Sequence, residues 1–139
     1  MVREWAAEVT VDEALARRLI GEQFPELEVG SLKLLGEGWD TTVWRVDEEW
    51  VFRFPRRSYP VPGLQNEIVH LPELAPLLPL PIPNPTFVGR PSPAFGWPFY
   101  GCRFLPGREL ADSDLDDAAR AALARPLAEF LRDPRGRLA

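Results

Sequence analysis

Apolar positions first recur at helical spacing in Ala14, Leu15, Leu19, Ile20 and Phe24, and the run stops at Pro25. Thr10 and Glu13 stand ahead of it with the separation of a capping box, which predicts a first helix starting beside Thr10. From residue 28 the period shortens. Residues 28–35 read as a strand, the run Gly36-Glu37-Gly38 breaks it, and Thr42, Trp44 and Val46 then alternate with Val43 and Arg45. A polar turn, Asp47-Glu48-Glu49, leads into Trp50-Val51-Phe52-Arg53-Phe54, which alternates again until Pro55. The expected product is a three-stranded antiparallel meander in which Val51 and Arg53 share a face.

Leu64, Ile68 and Leu71 restore helical spacing over residues 63–71, with Glu67 between them and with Pro72 and Pro76 expected to keep that helix short or broken. Residues 76–85 carry too many prolines for a helix or a central strand and predict an extended connector of polyproline type. Residues 86–89 and 97–105 read as two more strands around a turn-rich segment, residues 90–96. Beyond Pro106-Gly107, the acids Asp112, Asp114, Asp116 and Asp117 stand where a helix N-terminus favours negative charge. Ala118, Ala121, Ala122, Leu123, Leu127, Phe130 and Leu131 then give residues 112–132 the apolar face of a long helix. The fold class implied is α+β: a five-stranded antiparallel sheet with flanking helices.

Composition narrows the function classes. The chain has 139 residues, enough for one packed core, and 16 basic against 21 acidic residues leave a net charge of −5. No lysine or arginine cluster is long enough to follow a run of phosphates, which argues against nucleic acid as a partner. Lys33 is the sole lysine, so a site that ordinarily uses an ammonium must use a guanidinium here. Cys102 is the sole cysteine, so neither an intrachain disulfide nor a thiolate metal cluster is available. No apolar run marks a membrane span or an export signal, and the expected location is the cytoplasm.

Two features carry candidate chemistry. Glycines at 36 and 38 between two strands let backbone N–H groups approach a polyphosphate without Cβ obstruction, although a plain turn would use the same residues. Arg53 on the third strand is followed by Glu67 inside the next helix; the pair could brace a cation against phosphates or be an ordinary surface ion pair. The acids of residues 112–117 read as solvated charge at a helix start, His70 has no Cys or His neighbours and reads as structural, and Trp44, Trp50 and Trp97 read as packing residues.

The order of these elements resembles the N-terminal lobe of a protein kinase. Four stretches, GEGWDTTVWRV, WVFRFPRR, NEIVHLPELAPLLPLPIPNP and GWPFYGCRFLPGREL, resemble the aminoglycoside phosphotransferase family in order and spacing. That resemblance implies roles for particular residues. Gly36 and Gly38 look like the phosphate-covering loop, Val43 and Val51 like the apolar roof over a nucleotide base, Arg53 like the phosphate-contacting strand residue and Glu67 like its helix partner. Cys102 falls at the back of the base pocket. Residues 103–105, from Arg103 to Leu105, resemble the interlobe hinge whose backbone meets the purine edge.

The implied cofactor is ATP or GTP with Mg2+, and the implied partner is a small hydroxylated substrate. The sequence departs from the pattern in three places. Thr41 stands where a fuller kinase loop has its third glycine, Arg53 stands where a lysine is usual, and no His-Gly-Asp loop or later metal-binding Asp motif occurs in these 139 residues. The expected layout is therefore an N-terminal helix (1–27), a kinase-like N-lobe (28–105) and a hinge exit with the first helix of a truncated second lobe (106–139). No residue is assigned a catalytic or metal-binding role, and the chain alone is expected to be inactive. A non-catalytic nucleotide-binding or partner-binding module is the alternative.

Overall fold

A computed structural model describes residues 7–106 and 116–132. Helix α1 (Glu13–Gln23) precedes β1 (Leu32–Glu37), β2 (Thr41–Val46) and β3 (Trp50–Pro55). Helix α2 (Val61–Leu74) then leads through a 3-10 turn, Ala75–Leu77, to β4 (Phe87–Gly89) and β5 (Phe99–Arg103). The five strands form one antiparallel sheet in the order β1-β2-β3-β5-β4.

Strand alternation divides the core between the two faces of the sheet. On one face Trp44 and Val46 of β2, Phe52 and Phe54 of β3 and Phe99 of β5 pack with Val11 and with Ala16, Leu19 and Ile20 of α1. Phe52, Phe54 and Phe99 have no exposed surface, and each full burial of such a side chain is worth about 1.5–3 kcal/mol. Gly101 of β5 lies over the Phe52 ring, and a Cβ there would enter it. The opposite face holds a smaller cluster, Val51, Tyr100 and Cys102, against Leu64 of α2.

Helix α1 begins two residues later than a Thr10 cap requires. Asp12 is the N-cap, its carboxylate accepting the Leu15 N–H at 2.8 Å. Val11 is held out of the helix because it is buried and its carbonyl accepts the Trp44 indole N–H at 3.0 Å. The inward residue is consequently Ala16, while Ala14 is exposed.

The glycine run does not end β1 where expected. The register passes from Leu34 opposite Trp44 to Gly36 opposite Val43, which leaves Leu35 as the extra residue of a bulge, and the strand continues to Glu37. At the β2–β3 turn Asp47 adopts φ 51°, a left-handed conformation that aspartate tolerates. Its carboxylate accepts the Ser31 N–H at 2.8 Å and the Gly30 N–H at 3.4 Å, tying the start of β1 to this turn.

Helix α2 is longer than residues 63–71. It starts at Val61, with Pro60 and Pro62 placed where the first turn needs no N–H, and it runs through Pro72. The ladder resumes at once, because the Ala75 N–H bonds the Leu71 carbonyl. The long helix expected over 112–132 is divided in its described part. Asp116 caps α3 (Asp117–Ala122) by accepting the Ala119 N–H at 2.8 Å, and α4 (Ala124–Leu131) follows a turn at Leu123. Pro126 accounts for the break, since it has no N–H to give the Ala122 carbonyl and its ring crowds that oxygen. Leu123, Leu127 and Leu131 are exposed. Asp112 and Asp114 lie outside the described residues. Among the described residues no helix is long and apolar enough to cross a membrane.

Candidate functional site

In an antiparallel sheet, residues directly opposite each other project to the same side. The bulge at Leu35 uses this rule to turn Gly36 outward. Without the extra residue Gly36 would alternate onto the core face with Leu34; with it, Gly36 pairs with Val43, Val43 with Arg53 and Arg53 with Tyr100. A second row on the same face runs through Arg45, Val51 and Cys102.

These rows form the wall of a cleft of about 310 Å3. Leu35 and Gly36 line it from β1, Val43 from β2, and Val51 and Arg53 from β3. Cys102, Arg103, Phe104 and Leu105 close one side, and Pro83 of the proline-rich connector closes another. A Cβ on Gly36 would meet no protein atom within 4 Å, and the backbone there is not left-handed. The fold itself thus makes no demand for glycine at 36, and the space the missing side chain leaves open is cleft.

Six of the eight residues singled out in the sequence therefore line one cleft: Gly36, Val43, Val51, Arg53, Arg103 and Leu105. Gly38 does not. Its N–H is spent on the Thr41 carbonyl at 3.0 Å, closing the tight turn, and its carbonyl accepts from Arg56. Arg57 in turn pairs with Asp40 at 3.2 Å, so two arginines at the end of β3 hold the turn.

Glu67 stands outside the lining as well, and the expected Arg53–Glu67 pair is corrected. Among the described residues these two form no ion pair. Tyr100 sits opposite Arg53 in the sheet, and its hydroxyl donates to Glu67 Oε2 at 2.8 Å. Burial, ahead of the Glu67 hydrogen bond and charge, pushes the Tyr100 phenol well above its ordinary pKa, and it stays protonated as a donor. Burial also raises the Cys102 thiol, with the Arg53 guanidinium acting in the opposite sense.

Arg103 contributes its position more than its charge, because its guanidinium lies over the Trp50 ring at 4.6 Å, on the core face. The Phe104 N–H bonds the Glu49 carbonyl at 2.7 Å, extending the β3–β5 pairing past the last strand residue. The Phe104 ring carries the Arg45 guanidinium at 3.7 Å. Leu35 and Pro83 were not anticipated as lining residues, and Phe104 was expected only through its backbone in the hinge-like stretch 103–105. Phe104 was readable, since 100, 102 and 104 alternate onto one face; Leu35 depends on the bulge and Pro83 on the path of the connector. Trp44 and Trp50 pack as expected, and Trp97 packs edge-on to Phe95 just ahead of β5.

Residues 31–134 match the model of a phosphotransferase enzyme family. The chain belongs to that family. Solved structures of its members carry the same sheet. The GDP and kanamycin complex of APH(2")-IIia is 36% identical with a TM-score of 0.75, covering 84% of this chain and 39% of that one. The GDP complex of wild-type aminoglycoside 2'-phosphotransferase-IIIa is 34% identical with a TM-score of 0.78, covering 86% of this chain and 40% of that one. The gentamicin complex of APH(2")-IIa, 20% identical with a TM-score of 0.66, shares the fold. No curated protein matches. The phosphotransferase-family chain thus spans about two fifths of the length of these solved enzymes and overlies their kinase-like N-terminal part.

Proposed function

We propose that this phosphotransferase-family chain binds the purine nucleotide, ATP or GTP, of a kinase that phosphorylates a small hydroxylated compound such as an aminoglycoside. The observation that carries the reading is the open Cβ direction of Gly36 over a wall that also bears Val43, Val51 and Arg53. Apolar side chains on two adjacent strands suit the faces of a base, and the guanidinium further along the same wall suits a phosphate. The backbone of residues 103–105 supplies the edge for the purine, the Phe104 N–H being already committed. Gly38 and the arginine-held turn set the height of the loop above the phosphates, and Glu67 acts from α2 through its neighbours.

Magnesium, when bound with the nucleotide, neutralises phosphate charge. Among the described residues no three acidic, histidine or cysteine side chains are grouped to hold a metal ion, so this chain's own part is played through Arg53 and the backbone. The 139 residues contain no His-Gly-Asp loop to orient an acceptor hydroxyl, and we propose that they transfer no phosphate by themselves. On that count a binding module without chemistry is the second reading.

Calorimetry with Mg-ATP and Mg-GTP tests the first claim. Weak binding that Arg53→Ala reduces further is expected, because one wall of a cleft supplies only part of a nucleotide's contacts. Tight binding that survives Arg53→Ala would place the site elsewhere. Incubation with labelled nucleotide and a panel of aminoglycosides tests the second claim, and transfer above background would refute it.

A further inference from the structure

We infer that Glu8 is a positioning residue of the phosphate site that acts at one remove: its carboxylate fixes residues 56–58, and Arg56 from that stretch holds the turn at Gly38. The inference rests on the nucleotide reading above. It extends the support of that site ahead of residue 31, where the family match begins.

Arg56 is the joint. The last registered pairs of β3 are Thr41 with Pro55 and Tyr100 with Arg53, so residues 56–58 lie beyond the ladders. Toward the turn, the Arg56 N–H bonds the Asp40 carbonyl at 2.9 Å, its guanidinium donates to the Gly38 carbonyl, and the Glu37 carboxylate lies 3.7 Å from its Nε. Away from the turn, the Arg56 carbonyl accepts the Glu8 N–H at 2.8 Å and the Val9 N–H at 3.1 Å. Glu8 Oε1 then accepts both the backbone N–H and the hydroxyl of Ser58, at 3.2 and 3.1 Å.

A turn joining two strands opens locally at little cost unless something outside it holds it. The Arg56 side chain can hold Gly38 only while its own backbone is still. Residues 8 and 9 supply that restraint, and the Glu8 carboxylate carries it on to Ser58. Removing the carboxylate touches no residue of the cleft lining, yet it lets residues 56–58, and the turn with them, open more often. A phosphate must then order the turn as it binds, and that cost subtracts from affinity. A base held against Val43 and Val51 is spared it.

Charge alone predicts the opposite sign, because deleting a carboxylate reduces its repulsion of an anion. The two effects therefore separate when the full chain, Glu8→Ala and Glu8→Gln are titrated with ADP, GDP, adenosine and guanosine and followed by 15N NMR. Glu8→Ala should weaken both diphosphates about fivefold and leave the nucleosides within about twofold of the unaltered chain. Glu8→Gln keeps an acceptor oxygen for Ser58 and should bind all four ligands within about twofold of the unaltered chain. Diphosphates bound equally or more tightly by Glu8→Ala, a loss shared by the nucleosides, or a glutamine variant as weak as the alanine one would overturn the inference.

Hydrogen exchange without ligand separates this failure from a failure of the nucleotide reading. In Glu8→Ala the Gly38 N–H, which bonds the Thr41 carbonyl at 3.0 Å, should exchange about fivefold faster while the amides of β5 keep their rates. Unchanged Gly38 exchange, or equal acceleration in β5, overturns the inference whether or not the chain binds nucleotide. Absence of binding by all four ligands would count against the proposed function and leave the exchange result to decide the role of Glu8.

Discussion

Replacing Gly36 by alanine should move stability and binding in opposite directions. Gly36 lies within β1, its backbone is not left-handed, and a Cβ there meets nothing within 4 Å. Alanine is therefore compatible with the strand and restricts the unfolded chain, a gain of about 0.5–1 kcal/mol. The same methyl projects on the side shared with Val43 and Arg53, into the cleft of about 310 Å3. Forcing one extra carbon into a filled contact costs about 1–3 kcal/mol, which corresponds to ~5-fold to ~150-fold weaker nucleotide binding. Urea unfolding and calorimetry with Mg-ATP and Mg-GTP on one preparation measure both quantities. Unchanged affinity would mean that the ligand does not lie over Gly36. A loss of stability would mean that the bulge at Leu35 does not turn Gly36 outward, and the reasoning that places the cleft would fail with it.

Gly101→Ala should behave in the contrary way, because its Cβ would enter the ring of fully buried Phe52; a loss of about 1–3 kcal/mol in urea unfolding is expected, and a loss below about 0.5 kcal/mol would show the aromatic core to be slack there. Acid should weaken the fold through Asp47. The Ser31 backbone N–H, outweighing the opposing desolvation, and then the Gly30 N–H hold its carboxyl below the ordinary value of 3.8. The native state thus binds fewer protons than the unfolded one, and this contribution is complete above the unfolded value and lost as pH falls through the folded one. Asp47→Asn should accordingly show a shallower fall in stability between about pH 5 and about pH 3, and parallel curves for the two proteins would refute the assignment.

The phosphotransferase-family order of elements was legible without a structure. Alternation in 50–54 placed Val51 and Arg53 on one face, and the glycine pair marked the β1–β2 connection. The spacing of Leu64 and Ile68 predicted a helix beside the sheet. Local signals failed where two of them competed. Thr10 and Asp12 both suit an N-cap, and only the burial of Val11 beneath Trp44 decides for Asp12. Pro72 and Pro126 carry the same covalent handicap, yet α2 runs through the first and the last helix breaks before the second.

What the sequence determined alone was periodicity and chemistry: which residues are apolar at which interval, that the cation on the third strand is arginine, and that a carboxylate follows it on a helix. Tertiary structure decided which of those residues meet. A one-residue bulge, invisible to alternation, turns Gly36 from the core to the cleft because side chains change face with every residue. The register of β3 against β5 sets Tyr100 beside Arg53, and its hydroxyl reaches Glu67, a contact that linear order does not suggest. Pairing across strands and the need of a buried phenol for an acceptor are properties of residues distant in the chain, and only folding brings them together.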